Sequence, residues 1–160
     1  AVPVGGWLVC QPTFGLGNRV NAVMMCFAVA LATNRRLLLH WNCLSCHDQL
    51  AYPLSPSDVF SQPLVDWRLP NLFASGLSEE EMQTRMRTVA EEDVAGERRE
   101  SFDPTRSFAS AVASANLTEL WPEDVLLLNL FRFHPAILRN PFHAENLSAL
   151  IAHHQDAGRD

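Results

Sequence analysis

The residues best suited to chemistry lie near the start of the chain: Phe14-Gly15-Leu16-Gly17-Asn18-Arg19. They sit between an apolar run, Trp7-Leu8-Val9-Cys10, and a stretch from Val20 to Ala32 in which only Asn21 is polar. A strand that feeds a glycine turn and then a helix presents N–H groups without intrahelical partners at the positive end of the helix dipole. Gly15 and Gly17 let a ligand approach the backbone. Asn18 serves either as a helix cap or as a hydrogen-bond partner for a ligand. Arg19 adds a planar, permanent cation matched to the oxygens of a pyrophosphate or a carboxylate. The expected ligand carries phosphate. The competing reading is a plain strand-to-helix turn with a surface arginine.

Two familiar phosphate-binding patterns are excluded. A dinucleotide fingerprint needs a third glycine where Val20 stands, and a ribose-binding acid where Arg35 to Leu39 holds no carboxylate. A Walker loop needs a lysine, and the chain has none.

A second cluster is Cys43-Leu44-Ser45-Cys46-His47. Its spacing is that of c-type haem attachment, in which two thiols bind the vinyl groups and the histidine binds iron. A zinc site there would need a fourth ligand, with His40 the nearest candidate. A local disulfide and two thiols without a role are the other readings, favoured by the proline-rich sequence that follows. Cys10 and Cys26 lie in the apolar segments and read as small core residues. His40 and Trp41 close one apolar run, and Phe131-Arg132-Phe133-His134 closes another, so His40, Arg132 and His134 are further cleft candidates. Asn116-Leu-Thr118 and Asn146-Leu-Ser148 fit glycosylation acceptor triplets. No nucleophile elbow, His-Glu-x-x-His motif or carboxylate cluster suited to a metal occurs.

The elements that must position these groups follow from the apolar pattern. Trp7–Cys10, Arg36–Trp41 and Val125–Phe131 are continuous apolar runs of the kind buried in parallel sheets. The first two, joined by a helix over Val20–Ala32, make a βαβ unit. A helix is expected over residues 78–89, where Ser78 and Glu81 form a capping box and Met82, Met86 and Val89 repeat at helical spacing. The charge run from Glu91 to Glu100 reads as a solvated end. Pro104 is a candidate opening for a helix carrying Phe108, Ala111 and Val112, and His143 to Gln155 suits an amphipathic helix on Leu147, Leu150 and Ile151. Residues 42–76, broken by Pro53, Pro56, Pro63 and Pro70, read as a loop-rich insertion. Strands alternating with helices imply an α/β fold, a Rossmann-like parallel sheet flanked by helices. Ligands then bind beyond the carboxyl ends of the strands, where the segments after Cys10, Trp41 and Phe131 gather.

Composition sets outer bounds. The 160 residues suit one domain, 1–160, and 48% hydrophobic with 19% charged residues is a globular balance. The net charge is −6 and the 12 basic residues, all arginine, are scattered, which argues against nucleic acid as a partner. No apolar run reaches the ~20 residues of a membrane span. Ala1 in place of Met suggests a start inside a longer product.

Gly15-Leu-Gly-Asn-Arg19, followed by Ala28-Val-Ala-Leu-Ala-Thr-Asn-Arg-Arg-Leu-Leu-Leu-His-Trp41, resembles the opening of the fucosyltransferase-like glycosyltransferases, which use GDP-fucose on a two-domain GT-B scaffold. The match is strongest over residues 5–41 and continues loosely through Asp58-Val-Phe60 and Pro63-Leu-Val-Asp-Trp-Arg-Leu-Pro70. The resemblance implies an N-terminal half of such an enzyme, transferring fucose from GDP-fucose to a hydroxyl of a glycan or glycoprotein without a metal or other cofactor. Gly15, Gly17, Asn18, Arg19 and His40 then bind substrate, and Arg19 also stabilises charge. The family's C-terminal nucleotide-binding domain, with its His/Arg phosphate motif, is expected outside residues 1–160. A secretory compartment such as the ER or Golgi lumen suits that reaction in a eukaryote. The alternative from another class is a non-catalytic α/β domain, truncated or degenerate, that binds a phosphorylated ligand or a partner chain; a thiol or haem site at Cys43–His47 is the third.

Overall fold

Four short strands lie parallel in one sheet, in the order β2-β1-β4-β3. They are β1 (Trp7–Pro12), β2 (Arg36–Leu39), β3 (Met86–Ala90) and β4 (Val125–Leu130). The computed structural model describes residues 5–12, 15–40, 84–91, 107–148 and 151–152. Among the described residues, helices α1 (Leu16–Ala32), α2 (Phe108–Ser114) and α3 (Leu117–Leu120) and a 3₁₀ turn (Pro135–Arg139) flank the sheet in a Rossmann-like α/β fold. The expected insertion over residues 42–76 and the Cys43–His47 cluster lie outside the described residues.

Successive strand side chains point to opposite faces. Leu8, Cys10, Leu37, Leu39, Leu126, Leu128 and Leu130 form the larger core with residues of α1, α2, α3 and the 3₁₀ turn. Trp7, Val9, Leu38 and Val125 cluster on the other face with Met86 and Leu127. Apolar residues are needed on both faces, which is why these strands read as continuous rather than alternating.

Helix α1 begins at Leu16 because Gly15 takes an extended conformation as its N-cap. Ala22, Ala28, Ala30 and Ala32 are all buried, and such small residues let the helix lie close to the sheet. Its end is a Schellman motif: Asn34 takes φ 53°, its N–H bonds the Leu31 carbonyl, and the Arg35 N–H bonds the Ala30 carbonyl. Helix α2 starts at a serine cap, Ser107, whose hydroxyl accepts from the Ser110 N–H at 3.1 Å. The candidate opening at Pro104 lies outside the described residues.

The structure corrects four expectations. The helical spacing of Met82, Met86 and Val89 runs into a strand: Thr84 and Arg85 are helical, Met86 to Ala90 are extended, and residues 78–83 lie outside the described residues. Met86 and Val89 point to opposite faces, one toward Trp7 and the other toward the α1 side. Pairing with β4 along Val125 to Asn129 outweighs local propensity here. Glu91 is not solvated; it is 4% exposed at the exit of β3. Cys10 and Cys26 are not independent core thiols but a disulfide joining β1 to α1, with Cα atoms 5.8 Å apart. The segment from His143 forms turns through Leu147, and helical residues begin at Ser148.

One buried histidine ties α3 to this C-terminal segment. The Leu117 N–H donates to His143 Nε2 at 2.9 Å, so that nitrogen must be unprotonated. Burial holds the His143 pKa below its ordinary 6.5, partly offset by a hydrogen bond to the Ala32 backbone. The unfolded chain therefore binds the proton more readily than the folded one. The stabilisation from neutral His143 is full above pH 6.5 and is lost as pH falls through the lower folded value. Melting midpoints followed from pH 7.5 downward are expected to drop below about pH 6.5, with a shallower drop in His143→Gln. Equal slopes in the two proteins would remove His143 from the acid response.

Candidate functional site

The carboxyl ends of β1, β2, β3 and β4 bring three groups of polar side chains to one edge of the sheet. The first is the start of α1. Its N-cap, Gly15, offers no side-chain hydrogen bond, and no acidic residue occupies the first turn. The positive end of a 17-residue helix is thus left without a compensating acid from that turn. Gly17 and Asn18 are exposed. A Cβ built at Gly17 meets no atom within 4 Å, so nothing in the fold itself requires glycine there. Asn18 stands inside the first turn, two residues past Leu16, so the N-cap of α1 is Gly15 and not Asn18. Arg19 is buried, at 3% exposure, with its N–H bonded to the Gly15 carbonyl at 3.0 Å. The sequence suggests an arginine fork out in the cleft; the structure places this residue on the inward side of the helix, where its charge is poorly screened by water.

The second group lies on the sheet face that carries Trp7 and Val9. Gln11 Nε2 is 3.3 Å from His40 Nδ1, just past the end of β2, and the register sets Gln11 opposite Asn129 of β4. The Oδ1 of Asn129 is buried and has no hydrogen-bond partner among the described residues. Such an oxygen is costly unless something fills its valence. His40 is legible in the sequence as an edge residue, whereas Gln11 and Asn129 carry no motif of their own. Their signal was present, since each is the polar residue interrupting an apolar strand near its carboxyl end.

The third group lies on the opposite, α1-covered side. Glu91 Oε1 is 2.6 Å from His134 Nε2, and Oε2 accepts from the Phe131 N–H at 3.2 Å. The His134 ring packs edge-on against Phe108, with centroids 5.4 Å apart. Its backbone N–H meets Met25 Sδ of α1 at 3.3 Å. Arg132 is exposed and stacks over Phe131 at 4.3 Å. His134 was visible in the sequence as a cleft candidate, but its partner was hidden in the acidic run.

Gly15, Gly17, Asn18 and Arg19 thus share one helix turn, and His40 belongs to the neighbouring strand end. Among the described residues no set of three or more His, Cys, Asp or Glu side chains gathers as a metal site, and no helix is long and apolar enough to cross a membrane. Comparison with known protein families, with curated proteins and with solved structures returns no match to this chain.

Proposed function

We propose that this chain is the N-terminal domain of a glycosyltransferase that moves fucose from GDP-fucose to a hydroxyl of a glycan or protein. The observation that supports this reading is the N-terminus of α1, whose first turn carries no acidic residue, beside an open glycine at the carboxyl edge of a parallel sheet. First-turn N–H groups and a poorly screened arginine favour a diphosphate that gains charge as the sugar departs. In this reading Gly15, Gly17 and Asn18 bind the donor, Arg19 stabilises the leaving GDP, and His40 lines the acceptor side. A second domain of the GT-B type supplies the rest of the nucleotide site. A buried Cys10–Cys26 disulfide supports an oxidising compartment such as the secretory lumen.

The direct test is calorimetric titration with GDP and GDP-fucose, paired with transfer of labelled fucose to glycan acceptors. Saturable binding that Arg19→Ala weakens agrees with the proposal, and binding indifferent to Arg19 removes it from the site. Gly17→Ala separates fold from function more sharply. Alanine is the better helix former and its methyl group meets open space, so the fold is expected to gain up to about 1 kcal/mol. A diphosphate packed on that backbone loses room, and GDP affinity is expected to fall roughly tenfold, about 1.4 kcal/mol. A variant that melts higher and binds GDP as before means the turn holds no phosphate.

A further inference from the structure

The transferase reading leaves the most tightly organised ionisable pair at this edge without a task. Glu91 follows the last residue of β3, its N–H bonded to the Asn129 carbonyl, and turns its carboxylate across the exit of β4. Both oxygens are engaged, one by the Phe131 N–H and the other by His134 Nε2. The carboxylate side chain is 5% exposed and the imidazole 19%, so the acid is sealed while the base still reaches solvent. A carboxylate accepts, so Nε2 is the donor and the lone pair of a neutral ring resides on Nδ1. Phe108 of α2 bounds the ring and Met25 of α1 meets its backbone N–H, so two helices on one face of the sheet hold His134 in place.

A histidine with one nitrogen fixed by a buried carboxylate, and the other without a hydrogen-bond partner among the described residues, is the arrangement that proton abstraction requires. We propose that His134 is a general base at the carboxyl edge of the sheet, with Glu91 as its positioning residue. That the proton comes from an acceptor hydroxyl rests on the transferase reading above. In that step His134 Nδ1 takes the hydroxyl proton as the acceptor oxygen bonds to the anomeric carbon of fucose. The bond from that carbon to the phosphate oxygen breaks, and its electron pair leaves with GDP. The imidazolium is balanced by the Glu91 carboxylate and returns its proton to water.

Two measurements test this together. Long-range ¹H–¹⁵N correlation spectra of labelled protein at neutral pH report which ring nitrogen of His134 carries hydrogen. The expected spectrum has Nε2 protonated and Nδ1 bare, with the preference weakened in Glu91→Gln. A proton on Nδ1 in the neutral ring overturns the proposal whatever the activity. In fucose transfer, His134→Ala is expected to lower kcat by about 10²- to 10⁴-fold with donor KM unchanged, and added imidazole to restore part of it. A merely structural histidine would not show that rescue. Full kcat in His134→Ala overturns the base while leaving the transferase reading intact. If the wild-type protein binds no GDP and transfers no fucose, that reading fails, and the tautomer alone then upholds or overturns the dyad.

Discussion

Removing the Cys10–Cys26 bond is expected to destabilise the fold by about 3 kcal/mol, the chain-entropy value for a loop of this length. The bridge spans 16 residues and joins β1 to α1, so it closes a loop around the glycine turn. Both cysteines are wholly buried, next to Ala22 and Val29 in the larger core. Replacing both by alanine keeps that environment apolar and isolates the cross-link. Replacing both by serine adds buried hydroxyls that need partners and is expected to lose more. The comparison is made by urea unfolding of wild type, Cys10→Ala/Cys26→Ala and the serine pair. With slopes near 1–3 kcal/mol per molar, the alanine pair is expected to unfold about 1–3 M earlier. Coincident midpoints for oxidised wild type and the alanine pair would show that the bond does not constrain the unfolded chain.

That bridge also marks where the sequence stops being legible. Cys10 and Cys26 look the same as buried thiols or as a bridge, because both forms prefer apolar surroundings. Their pairing depends on how closely α1 lies over β1, a distance that no local pattern records. The continuous strands and the turn into α1 were legible because burial on both faces imposes runs of apolar residues. β3 was not: Met86, Arg87 and Thr88 suit a helix face as well as a strand, and only β4 decides between them. Glu91 fails for the same reason. An acid in an acidic run looks solvated until the strand before it delivers the side chain to His134. Gly6 carries no local motif either, although its φ of +81° and the closeness of the Asp124 carbonyl exclude a side chain there.

The site shares this division. Gly15, Gly17, Asn18 and Arg19 are adjacent in sequence, so their grouping needed only one turn to be recognised. Gln11, His40 and Asn129 come from three strands, and Glu91 with His134 from two strand exits. Register brings them together, and register is a property of the sheet rather than of any one segment.

The opposite edge of the sheet offers the second large effect. Arg35→Met is expected to lower stability by roughly 2–4 kcal/mol, with Arg35→Lys falling close behind. The guanidinium bonds three backbone oxygens at once: Glu123 at 2.7 Å, Trp121 at 2.6 Å and Trp7 at 3.4 Å. Those carbonyls belong to the start of β1 and to the link between α3 and β4, so one side chain fastens the amino edge. Burial lowers the Arg35 pKa, and Glu123 and Asp124 partly counter it. Holding a guanidinium in that place therefore has its own desolvation penalty, which is why the expected loss is smaller than three separate hydrogen bonds to a charge. Methionine fills the volume of the stem but leaves the Trp121 and Glu123 carbonyls without this donor. Lysine keeps the charge, yet a single ammonium cannot span three oxygens arranged for a planar fork. Thermal midpoints are the measure, with about 4–16 °C lost in Arg35→Met for a domain of this size. Because Arg35 is at the amino edge, the GDP binding proposed for the carboxyl edge is expected to persist in the folded fraction at temperatures below the lowered midpoint. Loss of binding while the variant is still fully folded would mean the two edges of the sheet are coupled.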